Sequence, residues 1–306
     1  MDEKQIPYWM ALAHMSDWSN EKINRVIIRI IHEKKISMED FWNASVNDWI
    51  NQFLIPEEDI FILKDVKKQL PNYSFLAEEL LNQGYKVIPI SSPEYSNTLK
   101  KNLKVRDAPS ILYIKGNKHL LQENSIAIIG SKDPSEPVLN FTDKIVKRAI
   151  KEGKIVISGF TKGVDLQAIN SVVTYEGRCI IVLPQGIMNF STGFKKYYSS
   201  IIKGNILVVS PFYPKASWSK LLAMTRNYIV YGLAEEIYVA EVYEKEDIFS
   251  KINYGLTKKK KIFAREPYCN EKNANGLLIG RGAIRLGING VKISDRIINV
   301  SKMRYE

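Results

Sequence analysis

The spacing of apolar residues divides the chain into a helical first part and a second part of alternating strands and helices. In the first part Ile23, Val26, Ile27 and Ile30 recur at helical spacing, and Pro71 marks a break. In the second part, short apolar runs bounded by turn residues predict strands. The predicted strands are 85–90, 111–114, 125–129, 154–158, 179–183, 206–209, 237–240 and 261–264.

The strands from residue 125 onward are apolar throughout, which is typical of strands buried on both faces. Their alternation with helices implies a parallel sheet with right-handed crossovers, and hence a doubly wound α/β fold. We therefore expect a small helical N-terminal domain over residues 1–72 and an α/β domain over residues 73–306. In such sheets ligands bind beyond the carboxyl ends of the strands, so the loops there are the first candidates for chemistry.

Composition and charge narrow the class of partner. The chain is 45% apolar and 25% charged, which excludes global disorder. Basic and acidic side chains cancel in residues 1–120, so residues 121–306 carry the whole net charge of +11. A neutral first part and a basic second part favour a polyanionic partner, although a generic solubility charge would look the same.

The sequence also predicts what the chain lacks. No apolar run approaches the ~18 residues of a membrane span, and the N-terminus resembles no signal peptide. We expect a cytoplasmic protein without membrane contact, in which Cys179 and Cys269 are reduced thiols. The three histidines have no Cys or His at ligand spacing, so we expect no metal and no cofactor.

Two loops that follow predicted strands combine glycine, hydroxyl and lysine, the groups that hold phosphates. Residues 130–132 read Gly-Ser-Lys before a helix. Residues 158–165 read Ser-Gly-Phe-Thr-Lys-Gly-Val-Asp, again between a strand and a helix. Neither matches a dinucleotide fingerprint or a P-loop. The phosphate-site hypothesis assigns phosphate contacts to Lys132 and Lys162, and a backbone pocket to the residues Gly130, Ser131, Ser158, Gly159 and Gly163.

A third segment, residues 225–233, would place Arg226 and Tyr228 on a helix near a sheet edge. Arginine with an aromatic residue is a pairing that grips phosphates and stacks bases of single strands. We therefore add Arg226 as a phosphate contact and Tyr228 as a candidate for base stacking. The alternative is ion pairing alone: Lys132 with Asp133 or Glu136, Lys162 with Asp165, and Arg226 with Glu235 or Glu236.

Taken together and in order, these segments resemble the DNA-processing protein A (DprA/Smf) family. The resemblance runs from about Tyr85 to Ala283. The matching segments are PSILYIKG at 109–116, IIGSK at 128–132, SGFTKGVD at 158–165, RNYIVYGL at 226–233, IYVAE at 237–241 and NGLLIGRGA at 275–283. This chain departs from the family at Lys132 and Tyr228, where the family has arginines, and at the acidic residues 244–247.

The resemblance implies an extended Rossmann-like, mostly parallel sheet with helices on both faces. It also implies single-stranded DNA binding, a homodimer, and loading of the RecA recombinase during DNA uptake, recombination and natural transformation (competence). Members of the family are not thought to be enzymes. The alternative is a sensor of a nucleotide or another nucleic-acid-derived small ligand. A phosphoribohydrolase of the lonely-guy type is disfavoured because 183–186 lacks paired glycines.

Overall fold

The computed structural model of the chain describes residues 2–269 and 271–293. Short helices form the first part, and serine caps set where several of them begin. Ser37 and Ser45 each form a capping box, with Asp40 and Asp48 respectively. The helices are α1 Ile6–Ala13, α2 Asn20–Ile28, α3 Met38–Asn43, α4 Val46–Asn51, α5 Ile60–Lys68 and α6 Leu70–Asn82.

Helix α5 ends at Lys68, close to the proline that marks a break in the sequence. Helix α6 begins at Leu70 and holds Pro71 in its first turn, where proline costs no hydrogen bond. The helix then packs against α1. The predicted boundary at residue 72 falls inside α6. The division into domains 1–72 and 73–306 stays a prediction.

Within the described residues, nine strands form one sheet in the order β1-β2-β6-β5-β4-β3-β7-β8-β9. The strand β2 runs antiparallel to both β1 and β6, and the other six pairs among the described strands are parallel. The sheet confirms the extended, mostly parallel arrangement and all eight predicted strands; only β9 was not predicted. The strands are β1 Lys86–Pro89, β2 Ile111–Gly116, β3 Ser125–Ile129, β4 Ile155–Ser158, β5 Cys179–Val182, β6 Ile206–Ser210, β7 Glu236–Val239, β8 Lys261–Arg265 and β9 Ile284–Leu286.

Helices cover both faces of this sheet, as the apolar strands require. The remaining helices are α7 Asn97–Asp107, α8 Glu136–Lys151, α9 Val164–Thr174, α10 Ser191–Ile202, α11 Lys220–Leu233, α12 Asp247–Thr257 and α13 Asn275–Gly280. One face packs against α8, α9, α10 and the N-terminal helices, and the other packs against α7, α11, α12 and α13. In β4, Val156 belongs to the first core, and Ile155 and Ile157 belong to the second.

The strand order reverses at β3. The chain continues from β3 to β4 on one side, and later returns to place β7 on the other side. A crevice therefore opens beyond the carboxyl ends of these strands, the place where open α/β sheets bind ligands. The loops after β3 and β4 both lie at this edge, because the two strands are parallel neighbours.

His14, at the end of α1, joins the helical part to the sheet. Its Nε2 lies 2.8 Å from the Tyr113 hydroxyl of β2, and its ring meets the edge of Tyr213 at 5.4 Å. Desolvation lowers the pKa of His14 to about 4. His14 is therefore neutral in the folded protein at pH values where it is charged in the unfolded chain.

This difference predicts a pH-dependent stability that depends on His14. The folded-state pKa lies below the unfolded value of 6.5, so its contribution is full above pH 6.5 and is lost as the pH falls towards 4. We expect His14→Gln to remove about 1–2 kcal/mol of the difference in unfolding free energy between pH 7 and pH 5. Urea unfolding at both pH values measures it. The exposed His119 is the control: an equal effect of His119→Gln would refute the assignment to His14.

Candidate functional site

The loops after β3 and β4 interlock at the switch point. The Val164 amide, at the start of α9, donates a hydrogen bond to the Ser131 carbonyl at 3.1 Å. Gly163 has φ of +84°, and a Cβ there would overlap the backbone of Ser131 and Lys132. A side chain at Gly130 would likewise collide with Val164. Both glycines are thus required by the close approach of the two loops.

Hydrogen bonds within the second loop fix its shape. Ser158 is fully buried and its hydroxyl donates to the Asp165 carbonyl at 3.0 Å. The Thr161 amide donates to Asp165 Oδ2 at 3.1 Å. Phe160 takes a φ of +57°, rare for a bulky residue, and packs edge-on against Phe190 with ring centroids 4.7 Å apart. The Ser158 hydroxyl therefore supports the loop and does not point to solvent.

Arg226 of α11 lies beneath this loop, with 4% of its surface exposed. Its Nη1 is 3.3 Å from Asp165 Oδ2, and its Nη2 donates to Thr161 Oγ1 at 2.7 Å. A Cβ at Gly159 would overlap the guanidinium, so glycine is needed there. Burial raises the pKa of Asp165, and the facing Arg226 charge offsets part of that rise.

Arg226 thus reaches the predicted edge, but as a buried group. Its ion-pair partner is Asp165, whereas the sequence offered Glu235 or Glu236 as alternatives. Its Nε is buried and has no hydrogen-bond partner within the described residues. In this conformation Arg226 stabilises the loop through its contacts with Thr161 and Asp165. A direct phosphate contact by Arg226 stays a prediction.

Lys132 and Lys162 are the exposed cations of the interlocked loops. Lys162 Nζ lies 2.6 Å from Asp133 Oδ1, so the two loops are also linked by an ion pair, although not the one with Asp165 that the sequence offered. Both partners are largely exposed, at 65% and 81% of their side-chain surface, and such pairs add little stability. Lys132 makes no ion pair in the part of the chain that the structure describes.

Tyr228 is not brought together with these residues. It lies two positions after Arg226 on α11, and side chains two apart point to different sides of a helix. Lys251 Nζ, from α12, lies 4.7 Å from the centre of the Tyr228 ring. Base stacking by Tyr228 therefore stays a prediction, on a helix face that turns away from the interlocked loops.

Two features of this edge were not predicted from the sequence. Asp133 pairs with Lys162, and Trp218 is 60% exposed just before α11. The signal for Trp218 was available, since it lies between two lysines in a loop after a predicted strand. Among residues 2–269 and 271–293, no helix is long and apolar enough to cross a membrane, and no group of three His, Cys, Asp or Glu could hold a metal ion.

Comparison with known proteins shows the family to which the chain belongs. A family model described as DNA recombination-mediator protein A matches residues 86–294, which include both loops and α11. The chain belongs to this family. Among curated relatives, the DNA processing protein DprA of Bacillus subtilis is 26% identical over 183 residues, covering 60% of this chain and 61% of that protein. DprA of Streptococcus pneumoniae is 26% identical over 161 residues. These matches thus span about three fifths of the relatives' lengths.

Solved structures agree on the architecture. The crystal structure of DprA from Streptococcus pneumoniae aligns with a TM-score of 0.75 at 20% identity, over 92% of this chain and 94% of that one. DNA processing protein A from Helicobacter pylori, whose structure concerns a unique single-stranded DNA binding mode, aligns with a TM-score of 0.54 at 22% identity, over 66% of this chain and 90% of that one. At 20% and 22% identity, these two likenesses show that the chain shares the fold of the two solved structures.

We expect unequal contributions to stability from Arg226 of α11 and Lys162 of the second loop. Arg226→Met leaves the Asp165 carboxylate buried without its partner, which should destabilise the protein by about 3–5 kcal/mol. Lys162→Met breaks only an exposed pair and should cost less than about 1 kcal/mol. Urea unfolding of both variants measures the difference. Adding Asp165→Asn to Arg226→Met should restore part of the loss; equal costs for the two single variants would refute the buried pair.

Proposed function

We propose that the chain binds single-stranded DNA at the interlocked loops after β3 and β4. The supporting observation is that two exposed lysines, Lys132 and Lys162, stand on adjoining loops at the switch point of a recombination-mediator fold. Phosphate neutralisation by Lys and Arg dominates nucleic-acid affinity, and residues 121–306 supply the whole positive net charge. Binding through backbone phosphates carries little sequence preference.

The wider role follows from the family. We propose a cytoplasmic homodimer that, like the DprA/Smf proteins, mediates recombination by delivering single strands to RecA during DNA uptake and natural transformation. We propose no catalytic step: the grouped residues form ion pairs and loop contacts, and none is arranged as a nucleophile beside a base. A nucleotide or small-ligand sensor on the same loops is the competing function, and salt dependence separates the two.

Charge reversal of the exposed lysines tests the interface. We expect Lys132→Glu and Lys162→Glu each to abolish most binding of a thymidine oligonucleotide, with unfolding free energies changed by less than about 1 kcal/mol. In the wild type, the logarithm of affinity should fall linearly with the logarithm of salt concentration, by about 0.7 per phosphate neutralised. Filter binding at several salt concentrations measures both effects.

Lys151 provides the matched control, since it is exposed at the far end of α8, towards the amino edge of the sheet. Lys151→Glu changes the net charge by the same amount and should leave affinity nearly unchanged. A flat salt response together with tight nucleotide binding would favour the sensor. Equal losses in all three variants would mean that affinity follows net charge alone and not this edge.

Asp133 gives a test of opposite sign. Its carboxylate pairs with Lys162 and adds a negative charge beside the proposed path of the phosphates. Asp133→Asn should therefore raise the affinity for a single strand by roughly two- to tenfold at low salt, and the gain should shrink as salt increases. Fluorescence anisotropy of a labelled oligonucleotide measures it. Weaker binding by this variant would show that Asp133 positions Lys162 and does not compete with DNA.

A further inference from the structure

Trp218 is exposed although the other tryptophans of the chain are buried. It keeps 60% of its surface accessible, whereas Trp9, Trp18, Trp42 and Trp49 keep 7% or less. Its indole contacts no aromatic ring and no cation among the described residues. An exposed indole leaves a large apolar surface in water, and a loop that presents one is a candidate contact for a ligand.

The loop that carries Trp218, residues 211–219 after β6, is held firmly to the neighbouring loop after β5. The Gly186 amide donates to the Ala216 carbonyl at 2.9 Å, and the Met188 amide donates to the Pro214 carbonyl at 3.0 Å. The Asn189 side chain donates to the carbonyls of Lys215 and Ala216. These bonds fix the backbone within two or three residues of Trp218.

The same loop is also attached to the N-terminal helices. Lys215 Nζ lies 2.7 Å from Glu79 Oε2 of α6, and the Tyr213 ring packs against His14 of α1. Trp218 is thus an aromatic side chain on a loop whose backbone is already ordered. Binding of a flat ligand to the indole would therefore cost little conformational entropy of the loop.

Helix α11 relates Trp218 to the interlocked loops. Its N-cap, Ser219, lies seven residues before Arg226, which corresponds to about 10 Å along the helix axis. Arg226 touches the second loop at Thr161. Because β6 runs parallel to β5 and β4, Trp218 lies at the same carboxyl edge of the sheet as the exposed lysines, with the loop after β5 between them.

We propose that Trp218 stacks on a base of a single strand whose phosphates lie along Lys132 and Lys162. This inference rests on the proposed function and adds the base contact that the lysines do not supply. The surroundings favour a polyanion over a protein partner, because Lys220 follows Trp218 by two positions and Lys132 is a cation without an ion pair, within the described residues, at the same edge. Aromatic stacking beside a basic groove is how single strands are held without sequence preference.

Intrinsic fluorescence reports the contact directly, because the four other tryptophans are buried. Titration of the full chain with a thymidine oligonucleotide should quench the emission. A strand of the same length made of abasic sugar-phosphate should bind more weakly and quench little. Trp218→Phe should bind the thymidine strand almost as well as the wild type but lose the quenching.

If the indole stacks on a base, removing either the base or the indole should weaken binding, and removing both should weaken it no further. We expect Trp218→Ala to weaken binding of the thymidine strand by roughly 5- to 100-fold in filter binding, and to leave binding of the abasic strand unchanged. Tyr254→Ala is the matched control. Tyr254 is 55% exposed near the end of α12, towards the opposite edge of the sheet, and its replacement should change neither affinity.

The outcomes separate this inference from the proposed function. Retention of the thymidine strand with unchanged fluorescence, or equal losses for both strands in Trp218→Ala, overturns the stacking contact and leaves DNA binding intact. No retention of either strand at low salt overturns both. Fluorescence that changes with protein concentration, without DNA and without an effect of the thymidine strand, assigns the indole to contact between two copies of the chain and overturns the inference.

Discussion

The central strands bury side chains on both of their faces, and most of the molecule is arranged to meet that requirement. A parallel strand cannot leave a face in water when its sequence is apolar throughout, so two layers of helices must cover the sheet. Crossovers of fixed hand then bring every loop that follows a parallel strand to one edge. The grouping of glycines, hydroxyls and lysines at that edge is a consequence of how the core is covered.

At that edge, a buried charge sets the form of the surface above it. The side chains of Arg226 and Asp165 are 5% and 20% exposed, and the loop passes so close to the guanidinium that only glycine fits at position 159. A buried pair of this kind adds little net stability, because desolvation offsets the attraction between the charges. It does tie the loop to α11, because Asp165 and Thr161 both contact the guanidinium. The loop that carries Lys162 is therefore attached to the helix beneath it.

The sequence was sufficient to predict strands β1 to β8 and the edge of the sheet where the candidate residues lie. It was insufficient to predict which charged side chains pair with each other. Apolar runs revealed eight strands, but β9 has three residues with an arginine at its centre and no pattern to detect. Parallel topology placed Lys132 and Lys162 at one edge, and the resemblance to the family placed Arg226 there. Their partners depended on backbone turns at Phe160 and Gly163, whose positive φ angles no periodicity encodes. Tyr228 could have been separated from Arg226 by helix geometry alone, since the two are two positions apart.

The core beneath the first face of the sheet is shared between the N-terminal helices and the strands. Leu12 and Leu80 belong to the same continuous apolar cluster as Tyr113 of β2 and Val208 of β6. A protease cut in the connection between α6 and β1 would therefore not release two stable pieces, because each would carry a large unsatisfied apolar surface into water. The helical segment and the sheet should melt together as one cooperative unit. An insertion or truncation that displaces α1 or α6 would also remove the contacts of Tyr213 and Lys215, and so change the position of the loop that carries Trp218.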